Sequence, residues 1–157
     1  VEELLAMLPI TKILCPSDFS EPSLAALDTA AELARHFKAA LVVLHVVSPV
    51  PQIPSGQVVG PFDVDAYESE LWESSRNTLN DLTQKRLEGI KAKLRIASGD
   101  ASTRIVEIAA EEKAGLIVIA THGQTGWRRL VFGSVAAKVV RLAACPVLTV
   151  RAKVNME

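Results

Sequence analysis

Scarcity narrows this 157-residue chain before any motif does. Aromatic residues make up only 4% of it. They are scattered, so no run of rings is offered on which bases could stack, and the basic residues are too dispersed to make a nucleic-acid surface. Nucleic acid is not the expected partner on either count. No apolar run approaches the ~20 residues that span a bilayer, so no membrane role is expected. Nor is there a charged start, apolar core and small-residue cleavage site of the kind that directs export. Cysteine is nearly absent. Cys15 and Cys145 stand apart in apolar surroundings with no metal-ligand spacing, which reads as two buried, inert thiols in a reducing cytoplasm. His36 and His45 also lack a metal-like partner spacing and read as surface or satisfied core histidines.

Several enzyme signatures are missing too. There is no GxxxxGK[ST] phosphate loop, and no GxGxxG follows the first strand. The GxSxG elbow of α/β-hydrolases is absent. A receiver domain would need an acidic pair after its first strand and an acidic phosphoacceptor after its third. Here Asp18 stands alone between Ser17 and Phe19, and the third strand ends Ala97-Ser98-Gly99.

What is present is a chain that is 49% hydrophobic, rich in alanine, valine and leucine, and of a length that suits one domain. Residues 1–10 read as a short amphipathic extension and 11–157 as the domain. Lys12 to Cys15 forms a first strand, and Ser20 caps a helix that tolerates Pro22 in its first turn and runs to about Lys38. Leu24, Leu27, Ala31 and Ala34 give that helix its apolar face. A second strand covers Ala40 to Val47. The proline-rich stretch from Ser48 to Val64 resists regular structure and, by position, is a candidate lid. A helix from Asp65 to about Gly89 then sets Glu68, Ser75, Asn77 and Asp81 on a polar face against Trp72, Leu79, Leu82 and Leu87. Strand three spans Lys93 to Ala97, and a third helix starts at Asp100 or Ser102. This strand–helix alternation implies α/β architecture: a single open, mostly parallel sheet with right-handed crossovers and helices on both faces.

The most informative stretch closes the chain. Leu116 to Ala120 is a short, β-branched run suited to a strand buried on both faces. A glycine-bearing loop follows from Thr121 to about Phe132, longer than most connections in compact domains. Gly133-Ser134 then opens a helical pattern through Val135, Val139, Val140, Leu142 and Ala143, which Pro146 ends. A strand, a glycine loop and a serine-capped helix together make an anion site, because first-turn N–H groups and the positive end of the helix dipole point there. Ser134 would both cap the helix and donate to a phosphate oxygen. The plainer reading stays open: glycines that turn the chain and a serine that only caps. From Ala120 onward, Arg128, Arg129, Lys138, Arg141, Arg151 and Lys153 face Glu157 alone. The anion site therefore lies in the basic third of the chain.

This stretch resembles the nucleotide-binding signature of the universal stress protein family: Gly, two residues, Gly, nine residues, Gly, then Ser or Thr. Gly123 and Gly133-Ser134 fit its second half, while Ala120 stands where the first glycine would fall. The resemblance runs from Lys12 to Arg151 and includes KILCPSDFSEPSLAAL. It implies a five-stranded sheet of order 3-2-1-4-5, Rossmann-like and of the adenine nucleotide α-hydrolase type. It also implies a nucleotide site built from Pro16, Ser17, Asp18, Val46, Ala120, His122, Gly123, Gly133, Ser134, Val135 and Ala136. In that arrangement Asp18 approaches the ribose and base, the Val46 backbone meets adenine, and His122 lies beside the phosphates. Asp18 is equally readable as a turn or capping carboxylate, and Val46 as a core strand residue.

The expected function is that of a cytoplasmic stress-response regulator, not an enzyme. It would hold ATP with Mg²⁺ as counter-ion, and any hydrolysis would be slow for want of a water-activating residue. The alternative is a nucleotide-independent dimeric interaction protein of the same fold, an option kept open by Ala120. Either way the resemblance implies a homodimer formed through the terminal edge strand, Pro146 to Arg151. No protein partner is named by the sequence.

Overall fold

A computed structural model describes residues 9–49, 63–122 and 133–151. Among these residues five strands, β1 (Lys12–Pro16), β2 (Ala40–Val47), β3 (Ala92–Ser98), β4 (Leu116–Ala120) and β5 (Val147–Val150), alternate with four helices. These are α1 (Glu21–Phe37), α2 (Val64–Arg86), α3 (Ala101–Glu111) and α4 (Ser134–Leu142). The sheet order is β3-β2-β1-β4-β5, and every pairing is parallel. Strand order therefore reverses between β1 and β4, where open α/β sheets leave a crevice beyond the carboxyl ends of their strands.

The strands are continuous apolar runs because both sheet faces are covered. Ile13, Cys15, Leu41, Val43, Leu116, Val118 and Ala120 point to one side and pack against α1 and Leu79 of α2. Leu14, Val42, Leu44, Ile117 and Ile119 point to the other, against Ile105, Ile108, Ala136 and Val139 of α3 and α4. Each fully buried Leu or Ile contributes about 1.5–3 kcal/mol. Helix α1 meets the sheet through Ala26, Ala30, Ala31 and Ala34, whose small side chains let it lie close. A Leu at Ala30 would overpack that contact by about 1–3 kcal/mol. The helix begins at Ser20, whose hydroxyl accepts the Ser23 N–H at 3.4 Å, and ends at Lys38 in a left-handed turn with φ 55°.

Helix α2 departs from its expected faces. It is capped by Asp63 rather than starting at Asp65, and it ends at Arg86, short of Gly89. Its buried line is Ser75 and Leu79, so Ser75 belongs to the packed side, whereas Trp72 and Leu82 are only half-buried. A serine at the contact allows close approach to the sheet, which a purely apolar count misses. At the amino end of the sheet, the buried Glu112 accepts from Lys93 at 2.7 Å, Arg95 at 2.6 Å and Lys12 at 3.4 Å. The Lys93 hydrogen bond above all, then Arg95 and Lys12, outweighs burial and holds the Glu112 carboxyl down at about 2.

Residues 1–8 of the expected amino-terminal extension, and residues 50–62 of the candidate lid expected from Ser48 to Val64, lie outside the described residues. Ile10 packs against the α1 side of the core. Among the described residues, no helix is long and apolar enough to cross a membrane.

Candidate functional site

The β1–β4 reversal opens a cavity of about 260 Å³ at the carboxyl end of the sheet. Ten of the eleven residues named from the sequence line it. Pro16, Ser17 and Asp18 come from the end of β1, and Val46 comes from β2. Ala120 and His122 come from the end of β4; Gly133, Ser134, Val135 and Ala136 come from the start of α4. The eleventh, Gly123, lies outside the described residues.

The β1 corner is tightly bonded. Ser17 donates its N–H to the Leu44 carbonyl at 2.8 Å, and its hydroxyl lies 2.9 Å from that of Ser23. Asp18 Oδ1 accepts the Ser20 N–H at 3.1 Å and the Ser20 hydroxyl, so the carboxylate closes the turn while also lining the cavity. The two readings of Asp18 are thus compatible. His45 is a satisfied histidine, as expected, donating from Nδ1 to the Ser17 carbonyl at 2.8 Å.

At the β4 corner the backbone is pinned on both sides of Thr121. Its N–H donates to the Val150 carbonyl at 2.9 Å, and its own carbonyl accepts the Gly133 N–H at 2.7 Å. The loop that leaves β4 and the helix that returns are therefore joined at their roots. A Cβ on Gly133 would stand 3.0 Å from the Thr121 carbonyl oxygen, and Gly133 itself has an ordinary φ of −58°. Glycine is needed here for close backbone approach rather than for a left-handed turn. Thr121 Oγ1 also lies 2.9 Å from His122 Nδ1.

One expectation is corrected. Ser134 does not cap α4: it is the first helical residue, Gly133 occupies the cap position, and among the described residues no side chain caps the first turn. The first intrahelical bond runs from Ala137 N–H to the Gly133 carbonyl at 3.0 Å. The N–H groups of Ser134, Val135 and Ala136 precede it and have no intrahelical partner, as first-turn donors never do. All three residues border the cavity. The apolar pattern of α4 is also only partly internal. Val139 and Ala136 are buried, whereas Val135, Val140 and Leu142 are exposed.

Ala120, the departure from the glycine pattern, is the last residue of β4 and pairs with Val150. Its methyl joins the α1-side cluster with Cys15 and Val118, while α4 lies across the opposite face. The thiols match their reading in part. Burial pushes Cys15 up to about 12, and half-buried Cys145 is also raised by desolvation.

Five cavity residues were not named from the sequence: Ser23, Ala101, Ile105, Ile119 and Thr121. Ala101 and Ile105 sit in the first turns of α3, beyond the carboxyl end of β3. That position was the available signal, because each looks like ordinary core by composition. The chemistry of the whole is apolar walls, one carboxylate at Asp18 and a helix start on a glycine cap. Among the described residues, no group of three or more His, Cys, Asp or Glu is gathered to hold a metal on its own.

Comparison with known proteins gives a consistent picture. The universal stress protein family matches residues 9–151. Universal stress protein MJ0531 of Methanocaldococcus jannaschii is 34% identical over 149 residues, covering 89% of this chain and 81% of that protein. The solved structure of MJ0577 from the same organism superposes with a TM-score of 0.74 at 29% identity, covering 93% of this chain and 99% of its own. A universal stress protein in complex with cAMP has the same fold at 24% identity and a TM-score of 0.64, covering 90% and 97% of the two chains.

Proposed function

The chain belongs to the universal stress protein family, and from that premise we propose that it binds ATP, with Mg²⁺ as counter-ion, in the cavity between β1 and β4. The observation that carries this reading is the uncapped first turn of α4 opening into that cavity. Three N–H donors and the positive end of the helix dipole suit a phosphate chain. The Asp18 carboxylate suits ribose hydroxyls, and the apolar wall formed by Pro16 and Val46 suits a base. Magnesium would arrive on the phosphates, since Mg²⁺ usually keeps its waters and takes one or two carboxylates rather than a protein cage. A universal stress protein of this fold has been solved with cAMP; ATP is favoured for this chain by the residues above and by the glycine signature.

The bound nucleotide would act as a regulatory ligand in a cytoplasmic stress-response protein, and any hydrolysis would be slow. His122 is the histidine at the cavity wall, and its Nδ1 is engaged by Thr121. Calorimetric titration with Mg·ATP, with AMP and GTP as controls and Gly123→Val as a blocked site, tests the proposal. Micromolar binding lost in the variant is expected. No saturation at millimolar ATP would overturn it.

A second element of the reading is a homodimer through β5. The two sheet edges differ in the way that pairing requires. At one edge, β3 carries Lys93 and Arg95, both in salt bridges. At the other, β5 has no charge from Val147 to Val150, Leu148 is exposed, and Val140 and Leu142 of neighbouring α4 are exposed as well. The same edge favours the alternative of a nucleotide-independent interaction protein, whose working surface it would be. Sedimentation should give a dimer that Leu148→Lys dissociates; a wild-type monomer at micromolar concentration would refute the pairing.

A further inference from the structure

One turn at the mouth of the cavity is held in a conformation that its own residues disfavour. Phe19, between Asp18 and Ser20, has φ 66°, in the left-handed region that penalises any residue with a Cβ. Such a residue persists where surrounding contacts over-determine it. Within the turn, the Phe19 N–H donates to Ser17 Oγ at 3.2 Å and Ser20 closes on Asp18 Oδ1. The two contacts that reach it from the neighbouring strand both come from His45.

His45 stands in β2 one residue beyond Leu44, the last partner of β1. Its Nδ1 lies 2.8 Å from the Ser17 carbonyl oxygen. A carbonyl has no proton to give, so Nδ1 carries the hydrogen and donates it. The imidazole also stacks on the Phe19 ring, with centroids 4.2 Å apart and planes 20° from parallel. Ser17 is thereby tied at both ends to successive residues of β2, through its N–H to the Leu44 carbonyl and through its carbonyl to His45. A trans peptide sends its N–H opposite to its carbonyl, so the His45 bond fixes the plane from which Asp18 departs. Stacking then fixes Phe19 on the far side of Asp18. Ser17 and Asp18 line the cavity, and the His45 ring sits behind them rather than in the wall.

We propose that His45 is a positioning residue for the nucleotide cavity: its Nδ1–H and its ring together set where Asp18 stands. This rests on the nucleotide reading above. A histidine that only joined β1 to β2 would affect stability without affecting the turn.

The test is calorimetric titration of Mg·ATP into the wild type, His45→Ala, His45→Asn and His45→Phe, with thermal midpoints and ¹H–¹⁵N spectra for each. His45→Ala should weaken binding at least tenfold and shift the amides of Asp18, Phe19 and Ser20. His45→Asn, whose amide reaches the place of Nδ1, should recover most of the affinity. His45→Phe keeps a ring without the donor and should recover less, and the order of affinities should not follow the order of midpoints. An alanine variant with wild-type affinity and unmoved Asp18–Ser20 amides overturns the proposal, as does an asparagine variant no better than alanine. Should the alanine variant fail to fold, the asparagine and phenylalanine variants carry the same comparison. A wild type that binds no ATP would sink the nucleotide reading instead. The positioning role is then judged on the amides and on the imidazole ¹⁵N shifts, where an Nε2-protonated His45 or unmoved amides would overturn it.

Discussion

Helices α3 and α4 pack side by side on one face of the sheet, and both bring their first turn to the same cavity. They begin in opposite ways. Helix α3 is closed by its own chain: Asp100 Oδ1 accepts the Thr103 N–H at 3.0 Å, the Thr103 hydroxyl at 2.9 Å and the Ser102 hydroxyl at 2.6 Å. Helix α4 begins on a glycine with no side-chain cap. Helices α1 and α2 follow α3, capped by Ser20 and Asp63. A helix start normally recruits Ser, Thr, Asp or Asn because its first N–H groups need an acceptor. Omitting the cap at α4 leaves that acceptor to be supplied from outside. On the proposed function, an anion would be received at α4 rather than α3, since α3 already holds a negative charge at its start and α4 holds none.

The most damaging way to break the contrast is to give α4 the cap that α3 has. Gly133→Asp places a carboxylate where phosphate oxygens would sit, and Mg·ATP affinity should fall about a hundredfold, the equivalent of one or two charge-assisted hydrogen bonds at ~1.5–3 kcal/mol each. Gly133→Ala separates charge from bulk. Its Cβ meets the Thr121 carbonyl at 3.0 Å, a backbone atom that cannot swing aside. A loss of about tenfold in affinity with about 1–3 kcal/mol of stability is expected. Equal affinities for the two variants, by titration calorimetry, would mean that the empty cap position has no electrostatic role.

The reverse change should spare the ligand. Asp100→Ala opens the start of α3, and a domain of this size losing a cap should show a Tm roughly 2–4 °C lower. Mg·ATP affinity should stay within about twofold, because cap effects are confined to the first turn. A tenfold loss would show that the two helix starts act as one site. Ala120→Gly is gentler still towards the ligand. The methyl packs with Cys15 and Val118, so affinity should hold, and a glycine in the strand should cost about 0.5–1 kcal/mol. Tighter ATP binding in that variant would mean that Ala120 narrows the pocket after all.

The sequence made these elements legible to different degrees, for physical reasons. Strands β2 and β4 stand on the residues predicted, because a strand covered on both faces must be a continuous apolar run. The start of α1 was equally plain, with Ser20 at the cap and Pro22 behind it. The start of α4 was misread by one residue. Gly133 and Ser134 are both plausible caps; the Ala137 N–H bond to the Gly133 carbonyl makes Gly133 the cap, and Gly133 is held there by its N–H bond to the Thr121 carbonyl. That last bond joins residues twelve apart in sequence through loop closure, which no local pattern encodes. Ser75 was assigned to the wrong face of α2 because a small polar residue at a close contact looks like a solvent residue. Ala101 and Ile105 went unnamed because their apolar side chains carry no mark of the cavity they border.

The subtlest difference between the two helix starts is their response to acid. The hydroxyl of Ser102, then the N–H and hydroxyl of Thr103, hold the Asp100 carboxyl at about 2, below its ordinary 3.8. A carboxyl depressed in the folded state stabilises fully above its unfolded pKa, and that contribution is lost as pH falls through the folded value. Asp100 therefore supports α3 above about pH 4 and releases it between there and pH 2, whereas the uncapped α4 has nothing at its cap to titrate. Glu112 is depressed from 4.5 to about 2 as well, chiefly by Lys93, so it contributes loss of stability of the same sign across an overlapping window. The two separate by substitution. Asp100→Asn keeps a capping oxygen without the proton equilibrium, so its stability should fall less steeply between pH 4 and pH 2 than that of the wild type. Glu112→Gln should retain the Asp100 part of the slope. Denaturant midpoints measured at half-unit steps decide the matter: an Asp100→Asn profile parallel to the wild type would assign the whole acid response to the amino end of the sheet, leaving the cap of α3 without a share in it.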